Sequence, residues 1–361
     1  MITYWVLFFL SAGLALIAQT RVPVLGDNIY STRLYSEWII FILILTILIG
    51  FRFEVGGDWY LYNEHNIKAL DSTLSSSISR FGDPGYFFLN WISAKSGLSV
   101  YGVNFLCGLV FSIGLSKFCR SLPRPWLALT VAIPYLFLVV ALGYSRQGVA
   151  IGFGMLSLVA FGRKEIRWFA FWVFLAASFH KSAILLLPIA LIANTKNSFL
   201  TAIGFLILGV GAFFLYLDQY IEKLYQNYIT AQTQSSGAFI RLSMNAVPAL
   251  IYLFFSSRFH FSENEKEIWK LFSIISVIML VLFFFISAST ALDRIALYLI
   301  PLQLVIFSRL PDAFGADTFS RTVIFVSILA YYAFVMFIWL NFAYHAYLWV
   351  PYKSLLIEAI I

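Results

Sequence analysis

Long apolar runs separated by short polar stretches fill most of this chain. They lie at 3–19, 37–51, 100–117, 126–142, 147–161, 168–180, 182–193, 199–217, 239–256, 270–287, 293–308 and 322–340. A helix needs roughly 20 residues to cross a bilayer, with a usual range of about 17–25. Since a spanning helix satisfies its own backbone in lipid, the pattern predicts an all-α, polytopic membrane protein with about 11–12 transmembrane helices.

The runs at 168–180 and 182–193 are short and leave the number of crossings open. If they form one kinked helix, everything downstream is inverted relative to an arrangement with two crossings. With two crossings, Lys and Arg are concentrated in the loops of one side, most clearly at Arg163, Lys164 and Arg167. The positive-inside bias makes that side cytoplasmic and places both termini on the outer side.

Composition agrees with a membrane protein. Of the 361 residues, 61% are hydrophobic and 11% are charged, whereas soluble globular chains carry about 25% charged residues. No Ser/Gly-rich linker divides the chain, so residues 1–361 are predicted to form one transmembrane domain. The net charge of +7 lies mostly in loops that set orientation and does not indicate nucleic acid as a partner.

Two loops on the predicted outer side are long enough to carry structure, 52–99 and 218–238. In the first, the residues after Pro84 suit a short interfacial helix of ~8–12 residues. Its membrane anchors are predicted to be four aromatic residues: Tyr86, Phe87, Phe88 and Trp91.

Several short motifs follow one another along the chain. They read RFEVGGDWYLY, DPGYFFLNW, SRQGVAIG, FHKSAILLLP, DRIALY and a C-terminal YLWVPY. In this order, on a chain with many spans, they resemble the EpsG-like branch of the bacterial polysaccharide polymerases often called Wzy polymerases. The resemblance covers nearly the whole chain. It implies a fold similar to that of the lipid-dependent membrane glycosyltransferases.

The resemblance also implies an activity and its partners. The expected enzyme is a periplasm-facing glycosyltransferase of the bacterial inner membrane that uses neither a metal nor a nucleotide. It would transfer a growing glycan from undecaprenyl pyrophosphate to a second lipid-linked repeat unit, forming O-antigen, capsule or exopolysaccharide. A chain-length regulator, a flippase and membrane lipids are the other implied partners. No cofactor is expected.

Two other functions stay open at the level of sequence. A membrane O-acyltransferase would also place a His near the outer face or the midplane, in a channel open to a cytoplasmic acyl donor. A glycan flippase or other transporter would need two alternating states and usually shows weak internal repeats, which this sequence lacks. His65, His260 and His345 show no paired ligand spacing, so nothing indicates zinc.

Arg146 and His180 are predicted to lie at the same membrane face. The helix from Arg146 runs to the basic turn 163–167, and the next apolar run returns to His180. With Ser145 as the expected N-cap, Arg146 offers bidentate donors to a pyrophosphate, or it snorkels to lipid headgroups. His180 is a candidate general base or hydrogen-bond donor; the alternative is a packing His at a helix break.

Three more arginines are candidate ligands of the pyrophosphate. Arg294 either reaches the pyrophosphate or pairs with Asp293, which would otherwise serve only as an N-cap. Arg52 ends the second apolar run and is either a ligand or a simple interfacial anchor. Arg241 is a further candidate at the outer face.

Two carboxylates and one tyrosine complete the predicted site. Asp58 is an alternative general base, and Asp83 is a candidate contact to the substrate. Asp83-Pro84-Gly85 is also an ordinary turn sequence, which we favour as its explanation. Tyr60, with its aromatic neighbours Trp59 and Tyr62, either stacks on sugar rings or belongs to an interfacial aromatic belt, and the belt fits better.

Overall fold

The computed structural model describes residues 1–19, 36–79, 83–188, 237–285 and 289–358. The predicted span 199–217 and nearly all of the loop 218–238 lie outside the described residues. Within these ranges the regular elements are helices, and the prediction of an all-α polytopic membrane protein is confirmed. The α-helices are α1 (Ile2–Gln19), α2 (Ser36–Gly50), α3 (Trp59–Leu70), α4 (Leu74–Ser79), α5 (Pro84–Lys95), α6 (Ser99–Arg120), α7 (Pro125–Ala132), α8 (Ser145–Gly162), α9 (Ile166–Phe179), α10 (Ala238–Phe255), α11 (Glu263–Phe283), α12 (Ser289–Ala296), α13 (Pro301–Phe314), α14 (Thr318–Phe342) and α15 (Leu355–Glu358).

Five helical segments of the described part are long and apolar enough to cross a membrane. They are Ile2–Gln19, Ser99–Arg120, Ala238–Arg258, Leu292–Phe314 and Thr318–Phe342. Three shorter apolar segments accompany them: Ser36–Gly50, Pro125–Ala141 and Ile166–Phe179. Each lies on an apolar run of the sequence, because a run of that length can satisfy its backbone in lipid only as a helix.

Helix α8 lies at the centre of the bundle and is buried on nearly every side. It crosses α6 so closely that a Cβ on Gly114 would lie 2.2 Å from the carbonyl oxygen of Gly152. On the α8 side of the contact, a Cβ on Gly152 would lie 2.7 Å from the Cα of Phe111 of α6. Gly114 of α6 and Gly152 of α8 therefore allow the two helices to pack closely.

The chain breaks its helical course at His180. Helix α9 ends at Phe179, His180 is extended with φ −155° and ψ 115°, and Lys181–Leu185 forms a 3-10 turn. Residues 168–193 are therefore not one continuous helix. The second half of this region is described only as far as Pro188, so the choice between one and two crossings stays open.

A π-helix, Ile133–Ala141, continues α7 toward α8. The indole Nε1 of Trp349 donates to the carbonyl oxygen of Leu138 at 2.8 Å, and Arg52 donates to that of Ala141 at 3.2 Å. Side chains from two distant parts of the chain thus bind the backbone just before the turn into α8. Short π segments often occur at functional sites.

The segment between α2 and α6 carries three short helices, α3, α4 and α5. The helix predicted after Pro84 is present as Pro84–Lys95. Two of its four predicted membrane anchors are wrong, because Tyr86 and Phe87 are 0% and 3% exposed. That face of α5 packs on α3, α6 and α9 instead of on lipid. Phe88 is exposed, and the Trp91 indole donates to the Ser72 carbonyl.

The segment after α14 folds back over the start of the chain. The buried Trp349 accepts a hydrogen bond on its carbonyl oxygen from the Tyr4 hydroxyl, at 2.8 Å. Further along, Ser354 forms an isolated antiparallel bridge with Arg52. The backbone N–H of Phe53 also donates to the Lys353 carbonyl at 3.0 Å. The two ends of the described chain are therefore joined beside Arg52.

Candidate active site

Arg146 and His180 lie at the same end of the bundle, here called the Arg146 end. Helix α8 rises about 27 Å over its 18 residues at ~1.5 Å per residue. After the turn at 163–165, α9 packs along α8 and returns toward Arg146. The Arg146 charge acts on His180, which shows that the two side chains are close.

Arg146 sits in a partly buried aromatic and acidic environment. Its Nη1 lies 3.1 Å from Oδ2 of Asp83, and its guanidinium carbon lies 6.0 Å and 5.7 Å from the ring centroids of Tyr62 and Tyr86. The predicted N-cap is wrong: Tyr144 precedes the helix, and Ser145 is its first residue. Arg146 therefore faces protein groups of the 52–99 segment, which does not suit a residue that merely snorkels to lipid.

Asp83 does more than form the turn that the sequence suggested. It precedes α5 without capping it through its side chain. Its carboxylate pairs with Arg146 and also faces the backbone N–H of Lys181. Burial raises the pKa of Asp83, and the charges of Arg146 and Lys181 oppose that rise. Asp83 thus connects α5, α8 and the segment after His180 at one point.

Arg52 is fully enclosed by protein, with 0% exposure. Its guanidinium donates to the Ala141 carbonyl, to Oδ1 of Asn104 at 3.4 Å and to Oγ of Ser145 at 2.8 Å. Ser145 in turn donates to the same Asn104 oxygen at 2.8 Å. This geometry fits neither an interfacial anchor nor a direct ligand, and instead fixes the first residue of α8 beside Arg146.

Asp58 precedes α3 and faces several cations. Its Oδ2 accepts from the Tyr62 hydroxyl at 3.3 Å. Burial raises the pKa of Asp58; the charge of Arg146, the Tyr62 hydrogen bond and the charges of Arg294 and Arg52 oppose the rise. Asp58 is a carboxylate with raised basicity near three arginines, which suits a general base.

His180 is held by a neighbour and surrounded by positive charge. Its Nδ1 is hydrogen-bonded with Oγ of Ser182, and its ring packs near Tyr298. Burial, and then the charges of Arg146 and Arg294, lower the pKa of His180 to about 3 and so favour the neutral imidazole. A neutral imidazole among cations resists protonation, so the arrangement suits a hydrogen-bond partner better than a proton acceptor.

Asp293 pairs with Arg241 and not with Arg294. Nε and Nη2 of Arg241 lie 2.6 Å and 2.5 Å from the two Asp293 carboxylate oxygens. Helix α12 begins at Ser289, so Asp293 lies inside the helix and the predicted N-cap role is wrong. The two-point geometry holds α10 and α12 together and occupies the Arg241 guanidinium.

Arg294 is exposed at the Arg146 end. Its charge acts on Asp58, His180 and Tyr144. Arg294 therefore belongs to one group of side chains at the Arg146 end, here called the cluster: Arg52, Asp58, Asp83, Arg146, His180 and Arg294. None of the six ion pairs found within the described ranges includes Arg294. Among the described arginines of the cluster, it is therefore the one best placed to meet an anionic ligand.

The chain also matches a known protein family. A model described as the EpsG family matches residues 37–354. The chain belongs to the EpsG family. Membership of this family suggests a polysaccharide-polymerase type of role, carried out by a glycosyltransferase-like membrane protein. No curated protein matches the chain, and no solved structure does.

The part matched to the EpsG family contains every residue of the cluster, from Arg52 to Arg294. Tyr60 falls within it too, but at 62% exposure it faces Glu54 rather than the arginines. In the part of the chain that the structure describes, no group of three or more His, Cys, Asp or Glu is placed to hold a metal ion. The roles of the individual residues stay predictions.

Three amide side chains of this EpsG-family protein, those of Gln147, Asn245 and Gln303, were not predicted from the sequence. Gln147 Nε2 donates to the Arg294 carbonyl at 2.7 Å, and Asn245 Nδ2 donates to the Ala296 carbonyl at 2.9 Å. Asn245 accepts from Gln303, and Gln303 accepts from the Tyr332 hydroxyl, at 2.6 Å and 2.7 Å. The signal available was their position: buried amides at membrane depth need partners.

Proposed function

We propose that this EpsG-family protein joins oligosaccharide repeat units carried on undecaprenyl pyrophosphate into a polysaccharide. The active site would face the periplasm at the inner membrane. The donor is the growing glycan on its lipid pyrophosphate, and the acceptor is a single lipid-linked repeat unit. The product class is an O-antigen, capsular polysaccharide or exopolysaccharide.

The observation that carries the proposal is the gathering of cations and carboxylates at the Arg146 end. Arg294, free of an acidic partner within the described ranges, and Arg146 suit the two phosphates of a leaving diphosphate. Guanidinium groups match phosphate oxygens in geometry as well as in charge. Stabilising the charge on a departing diphosphate is the main demand of such a transfer.

In the proposed reaction, each group of the site has a separate role. The acceptor hydroxyl loses its proton to Asp58 as its oxygen attacks the anomeric carbon of the donor sugar. The bond from that carbon to the pyrophosphate oxygen breaks, and its electron pair leaves with the lipid pyrophosphate. Arg146 and Arg294 bind the new negative charge, while the neutral His180 orients the acceptor or the diphosphate through a hydrogen bond.

Asp58 is favoured over His180 as the base on electrostatic grounds. The burial of Asp58 raises its pKa, which makes the carboxylate a better proton acceptor near neutral pH. Burial, together with the charges of Arg146 and Arg294, lowers the pKa of His180, so its imidazole accepts a proton poorly.

The decisive experiment supplies purified protein in vesicles with lipid-linked repeat units and no other energy source. Polymer ladders on a gel support the proposal. An Arg294→Gln variant should give no ladder. The matched control is Arg124→Gln, which removes an arginine from the Asp312 ion pair, away from the cluster, and should still polymerise. Acylated sugar formed from an added acyl donor would instead indicate an acyltransferase. Unmodified substrate that has crossed the membrane would indicate a transporter.

A further inference from the structure

Arg146 is already bound to an anion supplied by the protein itself. Nη1 of Arg146 lies 3.1 Å from Oδ2 of Asp83, with the two side chains 26% and 10% exposed. The same carboxylate faces the backbone N–H of Lys181. A guanidinium and an N–H donor converging on one oxygen-bearing anion is the arrangement that proteins use for phosphate.

We propose that the Asp83 carboxylate occupies the position of a phosphate group, and that the donor's diphosphate displaces it from Arg146. The identity of the natural ligand rests on the function proposed above, whereas the displacement itself concerns any diphosphate. The site would therefore hold its phosphate-binding arginine in place before substrate arrives, with Asp83 as a temporary occupant.

The Arg146–Asp83 ion pair has fewer contacts than the Arg241–Asp293 ion pair, which favours displacement of the Asp83 carboxylate. Arg241 and Asp293 meet through two short contacts, 2.6 Å and 2.5 Å, in a closed two-point pair. Arg146 meets Asp83 through one contact of 3.1 Å, so the pair is the more open of the two. A diphosphate can offer Arg146 more oxygen acceptors and more charge than one carboxylate does.

The orientation of Arg146 does not depend on Asp83 alone. Its guanidinium lies over the rings of Tyr62 and Tyr86, which are 1% and 0% exposed and therefore fixed. Such cation–ring contacts persist when the carboxylate moves away. Loss of Asp83 thus leaves the guanidinium in place for the incoming anion.

Asp83 also keeps a favourable environment after displacement. Lys181, beyond α9, is a second cation acting on it. The buried titratable side chains of the elements packed on α5 near this point are uncharged: His65 and Tyr62 of α3, and Cys107 of α6. Asp58, directly ahead of α3, is a second carboxylate near Arg146. Burial lowers the pKa of His65 to about 4, so it is neutral near pH 7. The displaced carboxylate therefore meets no negative charge from His65, Tyr62 or Cys107.

The first test measures the binding of inorganic pyrophosphate to the purified full chain by calorimetry. Asp83→Asn removes the competing anion, and we expect pyrophosphate to bind about tenfold more tightly or better, the scale of one charge-assisted hydrogen bond. The matched control is Asp312→Asn, which frees Arg124 in the same way and should leave the affinity unchanged. Adding Arg146→Gln to Asp83→Asn should remove the gain. Unchanged or weaker binding by a folded Asp83→Asn protein overturns the proposal.

The second test needs no variant and covers the case in which Asp83→Asn does not fold. Hydrogen exchange of the wild-type chain is followed at the first turn of α5, residues 84–88. The N–H of Phe87 donates to the Asp83 backbone carbonyl oxygen at 3.2 Å, so movement of Asp83 away from Arg146 should speed exchange there when pyrophosphate is added. Slower or unchanged exchange at saturating pyrophosphate would show that Asp83 stays in place. Neither measurement depends on polymer ladders, so the displacement and the polymerase function succeed or fail separately.

Discussion

The side-chain amide of Gln147 donates a hydrogen bond to the backbone carbonyl oxygen of Arg294, at 2.7 Å. Gln147 follows Arg146 in α8, whereas Arg294 lies in α12, 147 residues further along the chain. The bond ties the two helices that carry the candidate phosphate ligands. It therefore constrains the spacing between the backbone positions that carry the two guanidinium groups.

Arg294→Gln should lower kcat/KM by about 10²–10³, the usual loss when one donor to a developing charge is removed. The guanidinium is exposed, so the thermal unfolding midpoint should change little. Ladder formation and differential scanning fluorimetry measure the two quantities.

Arg241→Gln is the contrasting variant, since it removes the two-point ion pair of the Asp293 carboxylate, whose side chain is 15% exposed. It should lower the unfolding midpoint, because removing one partner of a partly buried ion pair destabilises the fold. The reverse pattern, a stable Arg241→Gln protein and an unfolded Arg294→Gln protein, would contradict the separation of structural and ligand-binding arginines.

The pH dependence of the rate should follow Asp58. Burial raises the pKa of this carboxyl above its ordinary value, and a base acts only when ionised. Activity should therefore fall as pH drops through a value above the usual ~3.9 of Asp. Asp58→Asn should cost about 10²–10⁴ in kcat/KM and abolish that acid limb. An acid limb that survives in Asp58→Asn would assign the proton transfer to another group.

His180 should tolerate a neutral hydrogen-bonding replacement. We expect His180→Ala to lose about 10–100-fold in kcat, the scale of one hydrogen bond to a charged group, and His180→Gln to recover most of that loss. Ser182→Ala, which removes the partner of Nδ1, is the control for imidazole orientation. A loss of about 10²–10⁴ in both His180 variants would make His180 the general base.

Ala variants of two glycines with positive φ distinguish the cost of backbone strain from the cost of a steric clash. A Cβ on Gly56, at φ +100°, would lie 2.5 Å from the Leu142 carbonyl oxygen, whereas one on Gly97, at φ +72°, meets nothing within 4 Å. Gly97→Ala should cost about 1 kcal/mol and still accumulate in the membrane. Gly56→Ala should fail to accumulate, because backbone next to α8 would have to move. Equal accumulation of the two variants on an immunoblot would disprove the clash.

Labelling tests the orientation of the bundle. Cys107 and Cys119 are buried and are replaced first. Asp71→Cys, in the 52–99 segment, should react with an impermeant maleimide in intact spheroplasts. Lys164→Cys, in the turn between α8 and α9, should react only after permeabilisation. Reaction of both positions from the same side would rule out the proposed orientation.

The helices could be read from the sequence, since each described span coincides with an apolar run. The meeting of Arg146 with His180 also followed from the lengths of two consecutive runs and the turn between them. That inference is local: it needs only helix rise and one reversal of direction. The short helix after Pro84 was predicted from its own sequence, but the burial of Tyr86 depends on what α5 packs against.

The sequence could not predict which charged side chains of the site pair with each other. Asp293 is adjacent to Arg294 in sequence but binds Arg241, 52 residues away, because α10 and α12 face each other in the bundle. Arg52 ends an apolar run like any interfacial anchor, yet contacts with Asn104 and Ser145 enclose it. Such choices depend on which helices are neighbours, and apolar periodicity carries little information about neighbours between spans.

The contact between Tyr4 and Trp349 bears on how the protein is made. The Tyr4 hydroxyl finds its acceptor 345 residues later, and Arg52 meets its bridging partner only at Ser354. On the ribosome, the first helices must therefore enter the bilayer and wait, with these groups unsatisfied, until translation has passed Ser354. The Trp349 indole can insert against Leu138 only after the C-terminal part of the described chain has been synthesised, so this contact forms late in biogenesis.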